Sequence, residues 1–153
     1  MNSTETSEKI FWEDIVVGRT IVTREEIVAF AQAFDPQPFH LDDEAAKASI
    51  VGRLCASGWH SCAMMMRMVA DGFLNTAASL GSPGMDEVKW IKPVFPGDTL
   101  SGRYTCHAKR VLSSRPHVGL CQMLFEMLNQ DNNVVMTWSI AQLIGLRNPR
   151  ARP

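Results

Sequence analysis

Residues 57–80, SGWHSCAMMMRMVADGFLNTAASL, decide the fold. Wound as a helix, this stretch carries apolar side chains around nearly its whole circumference. The pattern therefore predicts a helix from about Ser57 to about Leu80 that is buried inside another layer. Its methionines indicate an adaptable packing surface, most simply core filling, with contact to a flexible ligand as the alternative. The turn residues at 81–84 end the helix.

The chain beyond this turn alternates long apolar and β-branched runs with short polar turns. The runs cover residues 88–94, 100–112, 117–129 and 134–146. Because the turns are short, neighbouring runs are expected to pair as antiparallel strands in a meander. A lone buried helix followed by such strands predicts a single α+β domain, in which an antiparallel sheet of about five strands wraps around a long central helix.

The chain before the helix is predicted to supply a short strand at residues 19–22 and two further helices. Thr23 and Glu26 have the spacing of a capping box, so a helix is expected to begin there and to stop near Phe34. Residues 42–48 predict a short helix with acids in its first turn. We expect residues 1–9 to be a flexible segment, residues 10–146 to form the domain, and residues 147–153 to be a basic, solvated tail.

Composition excludes several classes of protein. The 153 residues are 46% apolar and 20% charged, with a formal net charge of −1, which favours a globular domain and gives no electrostatic case for binding nucleic acid or an anionic membrane. No signal pattern is present, and Arg67 and Asp71 interrupt the most apolar stretch, so no membrane span is expected. The four cysteines form no CxxC pair, which favours reduced thiols in the cytoplasm.

Residues 34–42, FDPQPFHLD, hold an acid and an imidazole five residues apart on a segment that two prolines stiffen. Asp35 and Gln37 each precede a proline and are pushed towards extended geometry. A carboxylate and a histidine that reach the same water form a general acid–base device. From these residues alone, the alternative stays open that Asp35 caps backbone amides and that His40 is a satisfied structural residue.

Metal binding is not expected. Cys55, His60 and Cys62 are close in sequence but lack the spacing of zinc ligands. His60 and Cys62 are instead predicted to pack on the central helix.

Three short motifs, in order along the chain, resemble those of the MaoC-like family, the (R)-specific enoyl-CoA hydratases and related acyl dehydratases, whose architecture is the hotdog fold. The first, DPQPFHLD at residues 35–42, is similar to Asp-x-Asn-Pro-x-His-x-Asp, with Gln37 in place of the usual Asn. The second is ASG at residues 56–58, where the family often has Ala-His-Gly. The third, PVFPGDTL at residues 93–100, is similar to a Pro-Val-x-x-Gly-Asp turn.

The resemblance implies reversible hydration of trans-2-enoyl-CoA to (R)-3-hydroxyacyl-CoA, with one water shared by Asp35 and His40. Our preferred division makes Asp35 the base that polarises the water and His40 the donor to C2, while the reverse or a shared role stays open. Gly58, at a helix N-terminus, is predicted to donate its N–H to the thioester oxygen. The alternative is that Gly58 only allows the chain to turn tightly into a buried helix. Gln37 and Ser57 are candidate supports of the site.

An acyl-CoA thioester is thus the implied substrate, and no cofactor is implied. A hotdog thioesterase is the alternative enzyme, and a non-catalytic acyl-binding subunit is the alternative outside enzymes. A single sheet leaves long edge strands, and unpaired edges promote aggregation. We therefore predict a homodimer, with further assembly left open. Five cations are candidates to meet the CoA phosphates, although a solvated strand face is the simpler interpretation: Lys89, Lys92, Arg103, Lys109 and Arg110.

Overall fold

The computed structural model of the chain describes residues 18–147, so the predicted N-terminal segment and nearly all of the basic tail lie outside the described residues. The helices are α1 (Arg24–Phe34), α2 (Asp43–Lys47) and α3 (Gly58–Val69). The strands are β1 (Arg19–Ile21), β2 (Ser79–Gly81), β3 (Met85–Trp90), β4 (Thr99–Leu112), β5 (Arg115–Leu128) and β6 (Val134–Gly145). No helix within residues 18–147 is long and apolar enough to cross a bilayer.

The six strands form one antiparallel sheet. Its order is β1-β4-β5-β6-β2, and β3 pairs with β6 on the same side as β2. The long strands β4, β5 and β6 pair over most of their lengths, as the predicted meander requires. The sheet curls around α3, so the predicted α+β hotdog architecture is confirmed.

Helix α1 begins where the sequence predicts. The Thr23 hydroxyl accepts a hydrogen bond from the Glu26 N–H at 3.2 Å, and the Glu26 carboxylate accepts one from the Thr23 N–H at 3.1 Å. Ile27 and Ala31 are fully buried on the inner face of the helix. The helix ends at Phe34, so Asp35 directly follows a well-anchored element.

Helix α3 is shorter than predicted, ending at Val69 and continuing only as a single wide turn at Ala70–Leu74. The prediction that the helix reaches Leu80 is therefore wrong. Gly72, Asn75 and Thr76 have low helix propensity and weaken the helix. Pairing with β6 then stabilises the extended segment Ser79–Gly81 instead.

The core lies between one face of α3 and the concave face of the sheet. Met65 is fully buried on the helix, and Phe125 on β5 is 1% exposed beneath it. The opposite face of α3 remains open in the single chain, where Trp59 is 61% and Met66 41% exposed. Burial of the helix on all sides, as the sequence predicted, is thus not reached, because the sheet covers one side only.

The turn that follows β3 connects the sheet to the start of α3. The Asp98 carboxylate accepts hydrogen bonds from the Phe95 N–H at 2.9 Å and the Gln130 side chain at 3.1 Å, and so fixes the turn. The Ala56 N–H donates to the Val94 carbonyl at 2.8 Å. This contact holds the segment from which α3 begins.

Candidate active site

Asp35 and His40 are brought together as the sequence predicted. Asp35 follows the last residue of α1, where its N–H donates to the Ala31 carbonyl at 2.9 Å. His40 ends a short 3-10 turn, Pro38–His40. Its Nε2 atom lies 3.5 Å from Asp35 Oδ2, longer than a well-formed N–H···O bond. The side chains are 17% (Asp35) and 8% (His40) exposed, so the pair is partly shielded from solvent.

Two polar side chains hold the Asp35 carboxylate. The Ser57 hydroxyl donates to Oδ2 at 2.6 Å, and the Gln37 amide donates to Oδ1 at 2.7 Å. The Ser57 bond, then the Gln37 bond, lowers the pKa of Asp35 below its ordinary value, although burial opposes them and nearby His40 assists. Asp35 is therefore an ionised acceptor at neutral pH. Both candidate supports contact the carboxylate directly.

A backbone carbonyl orients the His40 ring. His40 Nδ1 lies 2.8 Å from the Cys55 carbonyl oxygen, and this bond is buried. Because a carbonyl only accepts, Nδ1 is assigned the hydrogen, so Nε2 is the nitrogen that faces Asp35 and is the acceptor whenever the ring carries one hydrogen. The Phe39 ring packs edge-on against the imidazole, with centroids 4.6 Å apart.

The N-terminus of α3 stands beside the pair. Ser57 caps the helix, accepting a hydrogen bond from the Trp59 N–H at 3.2 Å. Gly58 is the first helical residue, a position whose N–H has no partner within the helix. The Trp90 indole N–H donates to the Gly58 carbonyl at 2.9 Å. A Cβ atom on Gly58 would lie only 2.6 Å from the indole ring, so the approach of Trp90 requires glycine here.

A cleft of about 270 Å³ opens at this helix tip. Its walls include Cys55, Gly58, Ser61 and Trp90 and are mostly apolar. Asp35 and His40 do not line it, but Cys55 does, and the carbonyl of Cys55 binds the His40 ring. A ligand in the cleft would therefore contact the helix tip directly, and Cys55 connects the wall of the cleft to the His40 ring.

A second cleft of about 340 Å³ shares Lys92 with the first. Arg53 also lines it and stacks over the Phe95 ring, 3.6 Å from the ring centroid. The acidic side chains of Asp98 and Asp131 contribute to the same walls. Lys92 is thus the one member of the predicted cation set that lines either of these two clefts.

The other predicted cations face elsewhere. Lys89 pairs with Glu87 at 3.2 Å, and Arg103 pairs with Glu126 at 2.6 Å. The remaining two, Lys109 and Arg110, are exposed on β4.

The residues considered for metal binding are dispersed. His60 is buried on α3 and stacks on Phe30 with centroids 4.7 Å apart, while Cys62 contacts the Met136 sulfur at 3.7 Å. Both pack on the central helix as predicted. Within residues 18–147 no group of three or more His, Cys, Asp or Glu side chains is arranged to hold a metal ion, and the four cysteines are free.

Sequence reasoning missed two contributors to the site. Cys55 acts through its backbone carbonyl, which any residue type carries, so the sequence holds no signal for it. Trp90 fits the alternation of a strand, and its contact with Gly58 arises only from the tertiary fold. The sequence placed Trp90 inside a strand predicted over residues 88–94 and held no signal for this contact.

Comparison with known proteins identifies relatives. The model of the MaoC like domain family matches residues 14–120. The uncharacterized protein YdeM of Bacillus subtilis is 30% identical over 127 residues, which are 80% of this chain and 86% of that protein. The crystal structure of a MaoC-like dehydratase from Rhodospirillum rubrum is 38% identical, with a TM-score of 0.81 over 86% of this chain and 89% of that one.

A more distant structure is the (R)-hydratase from A. caviae involved in PHA biosynthesis. It is 20% identical, with a TM-score of 0.60 over 84% of this chain and 91% of that one. At this identity the likeness supports the shared fold alone.

Proposed function

Since the chain belongs to the MaoC-like domain family, we propose that it is a hydro-lyase that adds water reversibly to trans-2-enoyl-CoA and forms (R)-3-hydroxyacyl-CoA. Family membership supports a hydratase or dehydratase role in general. The acyl-CoA substrate and the (R) configuration are the finer steps of the proposal. The observation that carries it is the 3.5 Å approach of the Asp35 carboxylate to the His40 imidazole, each oriented by its own hydrogen bonds.

One water fits this pair. Two acceptors 3.5 Å apart can both be reached by a water at an ordinary hydrogen-bond distance of about 2.8 Å. Such a water donates one hydrogen to Asp35 and the other to His40, and its oxygen lone pairs then point away from these two acceptors. This arrangement prepares the oxygen to attack C3 of an enoyl thioester.

The contacts favour His40 as the group that takes the proton, the reverse of the division preferred from the sequence. The Asp35 carboxylate already accepts hydrogen bonds from Ser57 and Gln37, which hold its pKa below the ordinary value, so it is a poor proton acceptor. As the water oxygen bonds to C3, Nε2 of His40 accepts a proton, and ionised Asp35 stabilises the resulting imidazolium. His40 then gives this proton to C2 on the same face of the substrate, so both groups are restored and the addition is syn.

The negative charge that develops on the thioester oxygen needs a donor. The Gly58 N–H lies at the N-terminus of α3, where the helix dipole also favours an anion. Gly58 also lines the apolar cleft. We assign the oxyanion to this N–H and the adjoining part of the substrate to the cleft.

A homodimer is part of the proposal. Strand β3 has β6 on one side, and its other edge is unpaired within residues 18–147. Trp90 and Ile91 at the end of this edge are 48% and 52% exposed, and Trp59 beside them is 61% exposed. Pairing with a second copy would cover both the edge and the apolar side chains. Light scattering that gives a monomer mass at micromolar concentration would contradict it.

The test uses crotonyl-CoA and longer trans-2-enoyl-CoA thioesters. We expect loss of the enoyl absorbance without thiol release, and chiral analysis of the product should give the (R) isomer. Asp35→Asn should lower kcat by roughly 10²–10⁴-fold with the circular dichroism spectrum unchanged. Asp43→Asn, which alters an exposed carboxylate paired with Arg24 at 2.6 Å, is the matched control and should keep full activity.

Two results would contradict the proposal. Release of CoA without hydration would indicate a thioesterase. Full activity of Asp35→Asn would remove Asp35 from the mechanism.

A further inference from the structure

We propose that Trp90 is a positioning residue, which acts through the first turn of α3 to orient the Ser57 hydroxyl and thereby the Asp35 carboxylate. The catalytic meaning of this role rests on the proposed function, whereas the coupling itself does not. Trp90 is distant in sequence from Ser57 and Asp35. It lies in the sheet, at the end of strand β3.

A continuous series of hydrogen bonds joins the indole to the carboxylate. The Trp90 Nε1–H donates to the Gly58 carbonyl at 2.9 Å. The N–H of the same peptide group, which belongs to Trp59, donates to Ser57 Oγ at 3.2 Å. The Ser57 hydroxyl then donates to Asp35 Oδ2 at 2.6 Å. All three bonds run in one direction from donor to acceptor, so each polarises the next towards the negative charge.

The indole also fixes where the helix tip stands. A Cβ on Gly58 would lie 2.6 to 2.9 Å from three atoms of the Trp90 ring, so the ring rests directly on the glycine. Trp90 is itself held in the sheet opposite Met136 of β6, and its ring meets Trp59 edge-to-face with centroids 5.3 Å apart. The contact therefore sets the distance between the sheet and the residue that caps α3.

Phenylalanine separates these two contributions. An indole N–H is a donor only, so its loss leaves the Gly58 carbonyl without this bond. A phenyl ring retains most of the packing. Trp90→Phe should thus weaken the series of hydrogen bonds while it preserves the contact with Gly58. Trp59→Phe is the matched control, because it changes the other ring of the aromatic pair and leaves each of the three bonds in place.

The primary readout is the titration of the Asp35 side-chain carboxyl followed by ¹³C NMR. His40 is the one titratable side chain in contact with Asp35 among the described residues, and the variants leave it untouched. We expect Trp90→Phe to raise the Asp35 midpoint by roughly 0.2–0.5 pH unit, since cooperative strengthening is roughly 10–30% per bond. Trp59→Phe should leave the midpoint unchanged. Light scattering should show the same assembly for both variants.

Activity gives the second readout. Trp90→Phe should lower kcat by roughly 3- to 10-fold with little change in KM, less than the loss of a donor that touches the substrate. If the wild-type protein hydrates no enoyl thioester, the proposed function fails, and the NMR titration still decides the coupling. An unchanged Asp35 midpoint in Trp90→Phe would overturn the inference, as would an equal shift in Trp59→Phe.

A measurement on the wild-type protein guards against a variant that does not fold. The indole N–H resonance of Trp90 should move with pH at the midpoint of Asp35, because the charge lies at the end of the same series of bonds. Its assignment comes from nuclear Overhauser effects between the indole N–H and the Hα atoms of Gly58, whose carbonyl it binds. An indole resonance that stays fixed while Asp35 titrates would overturn the inference.

Discussion

Replacement of Ser57 by alanine removes two hydrogen bonds at once. Ser57 is fully buried, and its hydroxyl donates to Asp35 Oδ2 at 2.6 Å. The same oxygen accepts from the Trp59 N–H at 3.2 Å and caps α3. We expect Ser57→Ala to raise the pKa of Asp35 and to destabilise the helix, with each effect measurable separately.

The size of each effect follows from the contact that is lost. A hydrogen bond to a charged group contributes about 1.5–3 kcal/mol, and one pKa unit corresponds to about 1.4 kcal/mol. The Asp35 midpoint should therefore rise by about one to two pH units. Loss of an N-cap costs about 0.5–2 kcal/mol. At neutral pH the variant should lose about 2–5 kcal/mol of unfolding free energy from the two sources together.

The pH dependence separates the two sources. In the wild type the folded pKa of Asp35 lies below its ordinary value of 3.8. The stability that this shift contributes is fully present above about pH 4 and is lost as the pH falls through the folded pKa. The difference between wild type and Ser57→Ala should therefore shrink below pH 4. The part that remains at low pH is the contribution of the cap, which does not titrate.

The assay combines ¹³C NMR titration of Asp35 with urea unfolding at several pH values. Thr23→Ala is the matched control, since it removes the N-cap of α1, where Thr23 bonds Glu26, without touching Asp35. It should destabilise the protein by a similar cap contribution at every pH and leave the Asp35 midpoint in place. An Asp35 midpoint in Ser57→Ala equal to that of the wild type would refute the reasoning.

Two further substitutions test the neighbours of this bond. Gln37→Ala removes the 2.7 Å bond to Asp35 Oδ1. It should raise the pKa of Asp35 by less than Ser57→Ala does, because Gln37 is exposed to solvent. An equal or larger shift of the Asp35 midpoint in the NMR titration would contradict this ranking. Gly58→Ala places a Cβ 2.6 Å from the Trp90 ring. It should lower the unfolding free energy, measured in urea, by about 1–3 kcal/mol, although alanine has the better helix propensity. An unchanged unfolding free energy would show that the indole moves aside freely.

The sequence was sufficient for the parts of the fold that local chemistry determines. The capping box at Thr23 and Glu26 placed the start of α1, and the short polar turns placed the three long strands. The end of α3 was missed because residues 70–81 are apolar enough to continue a helix, and the competing gain from pairing with β6 is a tertiary effect. Strand β2 was missed for the same reason.

The candidate site was likewise predictable from the sequence only in part. Asp35 and His40 were found because their side chains and the flanking prolines stand within six residues. The hydrogen-bond partner of His40 could not be predicted, because it is the backbone carbonyl oxygen of Cys55, which every residue type carries. The lowered pKa of Asp35 also depends mainly on Ser57, 22 residues away, whose hydroxyl meets the carboxylate only in the folded chain.

The third motif, at residues 93–100, contributes a structural constraint and no reacting group. Asp98 is 8% exposed, and both its carboxylate oxygens bind neighbours, so it is occupied within the turn. The Asp98 and Gly97 backbones also exchange hydrogen bonds with Val22, at 2.9 and 2.7 Å, which attaches the residue before the α1 cap to the same turn. The turn therefore joins the start of α1 to the segment before α3. Because Asp35 ends the first helix and Ser57 caps the second, this shared attachment helps to hold the carboxylate and the hydroxyl 2.6 Å apart.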